Sequence, residues 1–205
     1  MKILLTLLSI FILFSCSPSE ISSNHLTQIG GLVYKTDSKK PYSGVVADYH
    51  QNGQLKKKVN YEQGLIIDNY VEVLMSNGLL DSIYFYTNGK ENRYVDYIYY
   101  ENGNIKAKKT YVENILNGLL EEFYENGQLL SSVNYFMGGK EGVENIYFEN
   151  GNIHFINNYK NNLLTGVKET YFENGQLKLR ENYENGEFEE KIIRYDEDDN
   201  EVLIL

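Results

Sequence analysis

The side chain with the most distinctive chemistry is Cys16, the only cysteine in the 205-residue chain. A single thiol can be acylated, but it excludes a disulfide framework and a cysteine-rich zinc site. The three histidines, His25, His50 and His154, are too few and too scattered to form a metal or acid–base centre. The chain also has no glycine-rich phosphate loop, no serine-nucleophile elbow and no His-x-x-x-His pair. We therefore expect a protein that is not an enzyme and that holds neither a metal nor another cofactor.

The acidic residues dominate the charge balance without building a site. The formal net charge is −10 and the pI is about 4.8. A nucleic-acid-binding domain needs a basic face, so nucleic acid is not an expected partner. Adjacent carboxylates such as Glu121 and Glu122 would point to opposite faces of a strand, so they would not converge on one proton or one cation.

An apolar run from Ile3 to Phe14 precedes Cys16. A transmembrane helix needs about 20 apolar residues, so this shorter run indicates a secretory signal peptide. The residues Leu13-Phe14-Ser15-Cys16 resemble the bacterial lipoprotein box. The resemblance implies a signal peptide over residues 1–15, acylation of Cys16, and a protein anchored to a membrane of the bacterial cell envelope, the outer membrane where there are two. The alternative is a buried cysteine in a transmembrane anchor. In the lipoprotein interpretation, residues 16–29 are predicted to comprise the lipidated cysteine and a flexible tether.

The rest of the chain is an internal repeat of 24 or 25 residues, marked by the pair Asn-Gly. A tyrosine follows each of these asparagines by nine positions, and a glycine precedes four of them by eight. Residues 30–205 are therefore predicted to form about six repeat units with degenerate end caps. The glycines of the Asn-Gly pairs are Gly53, Gly78, Gly103, Gly127, Gly151 and Gly175. The repeat tyrosines are Tyr61, Tyr86, Tyr111, Tyr135, Tyr159 and Tyr183.

Each unit has the sequence pattern of a β-hairpin. Asn-Gly between alternating residues favours a two-residue type I′ turn, in which both central residues have a positive φ. Period-two alternation after the turn, as in Leu55, Lys57, Val59 and Tyr61, predicts a strand. Two strands per unit give about 13 or 14 strands. We expect an all-β fold, an elongated single-layer antiparallel sheet of tandem hairpins, with no helix beyond the signal peptide.

Units such as Gly-Val-Lys-Glu-Thr-Tyr-Phe-Glu-Asn-Gly-Gln-Leu-Lys, residues 166–178, resemble the variant MORN repeat. That repeat occurs in bacterial proteins often labelled YwqK-like antitoxins, and the resemblance covers about residues 30–200. It implies an elongated MORN-like solenoid of stacked hairpins. The family label implies a toxin-binding role for some members.

The aromatic residues next to the turns are predicted to lie on both faces of the sheet. On one face, Tyr100, Tyr124, Phe148 and Phe172 are predicted to pair with Ile105, Leu129, Ile153 and Leu177, beside the repeat tyrosines, in a structural role. On the other face, a second row of aromatic residues is either a recognition surface or a structural row whose rings cover the aliphatic parts of lysine side chains. The residues predicted to lie across the hairpin from this row are Lys56, Asp81, Lys106, Leu130, His154 and Lys178. This candidate binding row consists of Tyr49, Tyr99, Phe123, Tyr147 and Tyr171.

Three functions fit these expectations. The first is a non-enzymatic envelope lipoprotein that is anchored through Cys16 and binds another protein with its repeat sheet. The second is binding of a glycan or of the cell wall by the candidate binding row. The third is an antitoxin or immunity role, in which the partner is a toxin.

Overall fold

The structure is a computed structural model that describes residues 20–195 and 201–202. Over these residues the chain forms 18 β-strands and one short 3-10 turn, Ser23–His25, with no α-helix. No helix in this part of the chain is long and apolar enough to span a bilayer. The first nine strands are β1 (Leu26–Ile29), β2 (Leu32–Lys35), β3 (Gly44–Tyr49), β4 (Leu55–Glu62), β5 (Leu65–Ile66), β6 (Tyr70–Leu74), β7 (Leu80–Thr87), β8 (Lys90–Tyr99) and β9 (Ile105–Val112). The others are β10 (Ile115–Phe123), β11 (Leu129–Phe136), β12 (Gly139–Tyr147), β13 (Ile153–Lys160), β14 (Leu163–Leu164), β15 (Gly166–Tyr171), β16 (Leu177–Glu184), β17 (Glu187–Tyr195) and β18 (Glu201–Val202).

Strands β3 to β18 form one open antiparallel sheet in which neighbours in sequence are neighbours in space. The hydrogen-bonded path runs through 14 strands from β3 to β18, and the short strands β5 and β14 pair with β4 and β13. The predicted all-β fold of tandem hairpins in a single open layer is confirmed. Because each unit contacts only its neighbours, the molecule is a solenoid.

The Asn-Gly turns differ from the predicted two-residue type I′ form. In the first unit the Gly53 amide donates to the His50 carbonyl at 2.9 Å, and the His50 amide donates to the Gln54 carbonyl at 2.9 Å. In the six Asn-Gly pairs that mark the repeat only the glycines have a positive φ, for example 83° at Gly53, whereas Asn88-Gly89 and Asn185-Gly186 have a positive φ at both residues. The loop is therefore a three-residue loop, a type I turn followed by a left-handed glycine, and the predicted turn type was wrong.

The asparagine of the turn contributes through the hydrogen bonds of its side chain rather than through its backbone angles. Its Oδ1 accepts from the amide two residues later, at 2.8 Å for Asn102. Its Nδ2 donates to a carbonyl in the turn of the next unit, as Asn102 does to Glu125 at 3.2 Å and Asn150 to Glu173 at 3.0 Å. Together with the bond from Asn52 to the Ser76 carbonyl at 2.6 Å, these bonds tie the first turn to the second, the third to the fourth and the fifth to the sixth.

The longer loop also changes the predicted pairing across each hairpin. The last pair before the turn joins the residue three before asparagine to the residue three after it, with a bulge beside it, as in Tyr99–Ile105 and Phe123–Leu129. The candidate binding row therefore pairs with the aliphatic residues and not with Lys56 and its equivalents. The predicted partners Tyr100, Tyr124, Phe148 and Phe172 instead lie one residue closer to the turn. The prediction failed because one extra loop residue shifts the register by one position.

Each repeat tyrosine lies half-buried on one face, which we call the tyrosine face. In four units its cross-strand partner is a glycine, as in Tyr135–Gly118 and Tyr159–Gly142. In the third unit Tyr94 replaces the glycine, and its ring stacks on Tyr111 with the ring centroids 5.0 Å apart.

Most of the fully buried apolar residues lie at the amino-terminal end of the sheet. Five of the eight, including Tyr42 and Val46, belong to residues 42–59. Here Ile21 runs parallel to β3, and its amide donates to the Val45 carbonyl at 3.1 Å. Residues 26–35 form the separate two-stranded sheet β1–β2. Residues 20–29 thus differ from the predicted flexible tether, because Ile21 covers the backbone of β3 that would otherwise be an open edge.

Asp48 holds this amino-terminal segment in place. Its carboxylate accepts hydrogen bonds from the Ser22 hydroxyl at 3.0 Å and from the Ser23 amide at 2.8 Å, and it lies 3.6 Å from the Lys57 ammonium. Burial alone would raise the pKa of Asp48, but these hydrogen bonds and the charge of Lys57 lower it overall. The segment before β1 is therefore docked by a charged and hydrogen-bonded contact as well as by strand pairing.

Candidate functional site

The predicted signal peptide, residues 1–15, and the predicted lipidation site, Cys16, lie outside the described residues. The candidate binding row lies within them, on the face opposite the repeat tyrosines, which we call the front face. The structure brings its five members onto this face in units one, three, four, five and six. The following contacts decide how much of the row is free.

The hydroxyl groups of this row are largely used inside the chain. Tyr99 is half-buried, and its hydroxyl donates to the Leu80 carbonyl at 2.7 Å. Burial raises the pKa of Tyr99. The Tyr171 hydroxyl donates to the Glu169 carboxylate at 2.7 Å, and burial together with that bond raises the pKa of Tyr171. Tyr49 is the exposed member, at 55% of its surface, and its hydroxyl donates to Glu20 at 3.0 Å.

The ring of Phe123 is also covered from within the chain. The Lys108 ammonium lies 4.9 Å from the ring centroid and 3.4 Å from the Glu121 carboxylate. Tyr147 is half-buried, and its carbonyl accepts from the Tyr124 hydroxyl at 2.7 Å. These contacts make the row a structural feature that joins neighbouring strands, with Tyr49 as the one member that presents a mostly free ring.

A second row on the front face is more exposed, and the sequence analysis did not identify it. It occupies the position directly after the glycine that faces the repeat tyrosine in four units, or after Asn69 and Tyr94, which replace that glycine. Leu119, Val143 and Val167 lie there in successive units, about 10 Å apart, since two strand spacings separate them. We call this row the apolar strip: Tyr70 with 55% of its surface exposed, Leu119 with 41%, Val143 with 47% and Val167 with 42%.

The apolar strip alternates with amide side chains. Asn134, Asn158 and Asn182 are the cross-strand partners of Leu119, Val143 and Val167. Apolar groups next to amides, on a rigid sheet and at a constant spacing, suit the centre of a protein–protein interface. The sequence carried the signal, because the residue seven positions before the asparagine of each repeat turn is apolar in all six units: Val45, Tyr70, Val95, Leu119, Val143 and Val167.

The tyrosine face holds polar contacts in the carboxy-terminal units. Glu144, 5% exposed, accepts from the Lys140 ammonium and from the Asn157 amide at 2.8 Å. Burial would lower the pKa of Lys140, but the hydrogen bond and charge of Glu144 raise it overall. Lys168 and Glu181 form a second pair at 3.2 Å. Each charge has an opposite charge as its partner, so the network holds the sheet together.

A concavity of about 640 Å³ lies between the first two units, beside Ile67, Asp68 and Tyr86. The Asp68 carboxylate accepts from the backbone and side chain of Asn60 at 2.7 and 2.9 Å. Burial raises the pKa of Tyr86 to about 12, so its hydroxyl is neutral at physiological pH. The Asp68 carboxylate is thus engaged by Asn60 in this concavity. Among residues 20–195 and 201–202, no three ligating side chains converge on a possible metal position.

Comparison with known proteins identifies the repeat. The sequence profile of the family described as MORN repeat variant matches residues 42–63, 97–113, 116–136, 140–161 and 164–185, half of the chain. The unmatched stretch between the first two ranges contains Asn69 and Tyr94, which replace the glycine found in the other units. No curated protein matches the chain. The solved structures with similarity include one titled "Crystal Structure of TarM", 12% identical over 67% of this chain and 21% of that chain, with a TM-score of 0.21, which is too low to support an inference. On the strength of its five matched repeats, the chain belongs to the MORN repeat variant family.

Proposed function

We propose that this protein is a non-enzymatic lipoprotein of the bacterial cell envelope whose repeat sheet binds another protein through the apolar strip. The exposure of that strip carries the proposal. Leu119, Val143 and Val167 each leave more than two fifths of their surface to solvent, on strands that the neighbouring units hold in place. Exposed apolar side chains beside amides on a rigid surface suit an interaction site.

The charge of the sheet defines the partner further. Residues 61–205, the part of the chain that carries the strip, hold 26 acidic and 12 basic side chains and are therefore acidic overall. A partner that places apolar side chains on the strip and basic side chains around it would match both features. The basic rim would mainly accelerate association, and the apolar centre would slow dissociation.

Charges introduced into the strip should disrupt this contact. We expect Val143→Glu combined with Val167→Glu to reduce crosslinked adducts in cell envelopes about tenfold, because two carboxylates would then be buried against the partner. The matched control is Ile67→Glu combined with Phe136→Glu, which changes side chains that are 56% and 60% exposed but lie outside the strip. Equal loss of adduct in both pairs, or no reproducible adduct from the unchanged chain, would contradict the proposal.

The lipid anchor is tested separately. A palmitate analogue should label the unchanged chain and not Cys16→Ser, since Cys16 is the only thiol in the sequence. Adding Thr27→Cys to Cys16→Ser restores an exposed thiol outside the lipoprotein box, and we expect no label on it. No label on the unchanged chain, or as much label on Cys16→Ser as on the unchanged chain, would contradict acylation of Cys16.

The two other candidate functions have different support. Saccharide binding by the candidate binding row rests on Tyr49, because the hydroxyls of Tyr99 and Tyr171 are bonded within the chain. A toxin-neutralising role agrees with the label YwqK-like antitoxin and would use the same apolar strip. A lipid-anchored protein would meet an exported toxin at the envelope, and a toxin identified in the crosslinked adduct would support this role.

A further inference from the structure

The charges of this acidic protein are unevenly distributed along the sheet. Between Cys16 and Asn60 there are six lysines and three acidic residues, whereas residues 61–205 hold 12 basic and 26 acidic ones. The amino-terminal end of the sheet is thus basic and the remainder strongly acidic. Such a separation of charge along an elongated molecule orients it in an external field or against a charged surface.

Two exposed lysines of the basic end belong to a segment that is hydrogen-bonded to the residues before β1. Lys39 and Lys40 belong to the exposed segment that follows β2, and Thr36 in that segment donates its amide to the His25 carbonyl at 3.0 Å. His25 and Lys35 line one shallow concavity together with Ile21. Lys56 is exposed on β4, the second strand of the sheet from this end.

The ion pairs of this end leave those lysines free. Lys57 pairs with Asp48, and Lys58 pairs with Glu20. No ion pair among the described residues involves Lys39, Lys40 or Lys56. Three exposed ammonium groups are therefore available to an anionic partner.

The length of chain before the sheet limits what that partner can be. Ile21 is hydrogen-bonded to β3, and Cys16 precedes it by five residues. Five residues span at most about 18 Å even when fully extended. If Cys16 carries the lipid, as proposed above, the basic end stays within that distance of the headgroups, while the carboxy-terminal strands can lie on the order of 60 Å away.

We propose that the amino-terminal end of the sheet, through Lys39, Lys40 and Lys56, rests on anionic phospholipid headgroups and orients the acidic repeats away from the bilayer. The inference rests on the proposed lipid anchor and adds an orientation to it. One acyl-anchored end and one basic surface together make a two-part membrane contact. The apolar strip is then presented to partners rather than to lipid.

Energy transfer between dyes on the protein and in the bilayer tests this orientation. The full chain, purified from membranes, is reconstituted in vesicles of two parts phosphatidylcholine to one part phosphatidylglycerol, with one dye on the outer leaflet. A second dye is attached to Ser38→Cys at the basic end or to Asn185→Cys in a turn near the other end, both at exposed positions. We expect transfer from position 38 to exceed transfer from position 185 severalfold, and this contrast to fall in high salt or in pure phosphatidylcholine.

Charge reversal identifies the contact. Each lysine near an anionic surface strengthens binding by about fivefold, so Lys39→Glu, Lys40→Glu and Lys56→Glu together should weaken the contact at least a hundredfold and abolish the contrast. The matched control reverses the exposed Lys106, Lys160 and Lys178 and should keep it. Equal transfer from both positions in the mixed vesicles, or equal loss with the control, would overturn the inference. A chain that does not float with either kind of vesicle would instead refute the anchor itself, and the orientation with it.

Discussion

Raising the pH above 10.0 towards about 12 is expected to unfold the sheet, because many of its tyrosines are held neutral in the folded state. Burial is the first cause that raises the pKa of nine of them, and a hydrogen bond to Glu20 is the first cause at Tyr49. The nine are Tyr42, Tyr61, Tyr86, Tyr94, Tyr99, Tyr111, Tyr124, Tyr159 and Tyr171.

The direction of the effect follows from proton linkage. A tyrosine whose pKa is higher in the folded state contributes stability that is complete below its unfolded pKa of 10.0 and is lost as the pH rises through the folded value. For Tyr86 the window therefore runs from 10.0 to about 12. Two pKa units correspond to at most about 2.7 kcal/mol, and screening of this half-buried hydroxyl reduces that to about 1 kcal/mol. The raised pKa values of the other eight tyrosines act in the same direction, and the stability of an ordinary domain is only about 5–15 kcal/mol.

The measurement is a pair of titrations on one sample. Far-ultraviolet circular dichroism follows the loss of strand, and ultraviolet absorbance follows tyrosinate formation, and we expect the two curves to coincide above pH 10.0. Tyr86→Phe removes one titrating hydroxyl and should move the midpoint to higher pH. The control is Tyr70→Phe, because this ring is 55% exposed and should leave the midpoint unchanged. Tyrosinate formation on an intact sheet would contradict the prediction.

The repeat period was sufficient to predict the architecture. Asn-Gly and tyrosine recur at fixed offsets, and a hairpin is the smallest structure that can place both in every unit. The predicted loop was one residue too short, and the predicted register was therefore wrong by one position. Both errors arose because the two-residue type I′ turn and the three-residue loop with a left-handed glycine share the Asn-Gly sequence signature. In the type I turn with a left-handed glycine, the side-chain amide of Asn102 donates to the Glu125 carbonyl in the next unit. That contact exists only when the units are stacked, so one unit's sequence does not reveal it.

The candidate site was predicted less well than the fold. Aromatic size drew attention to Tyr99 and Tyr171, but their hydroxyls reach acceptors within the sheet, and a sequence does not reveal such partners. The apolar strip was readable as a periodic position, yet the exposure of Val143 depends on the absence of a covering layer. Docking of Ile21 on β3 was unpredictable for a similar reason, since it depends on a strand edge that exists only after folding.

Gly118→Ala is expected to lower the free energy of unfolding by about 3 kcal/mol, whereas Gly142→Ala, at the same repeat position, should lower it by about 1 kcal/mol. Both glycines face a repeat tyrosine and both have a positive φ, 119° at Gly118 and 82° at Gly142. Alanine at either position is therefore strained. Only at Gly118 would the new Cβ also collide, 2.9 Å from Thr110 Cγ2 and 3.1 Å from Thr110 Cβ, while nothing lies within 4 Å at Gly142.

The difference between the two variants combines the collision at Gly118 with its larger φ, and a change at Thr110 separates the steric part from the backbone strain. Urea unfolding followed by circular dichroism gives the two free energies, and amide exchange in β10 and β11 locates the loss. Thr110→Ser removes Cγ2, so combining it with Gly118→Ala should recover about 1 kcal/mol, and the same change should recover nothing beside Gly142→Ala. Equal destabilisation by the two glycine variants would show that β9 does not approach Gly118 as described. The glycine of each unit would then be required only for its positive φ, and the packing of neighbouring hairpins would contribute nothing at this position.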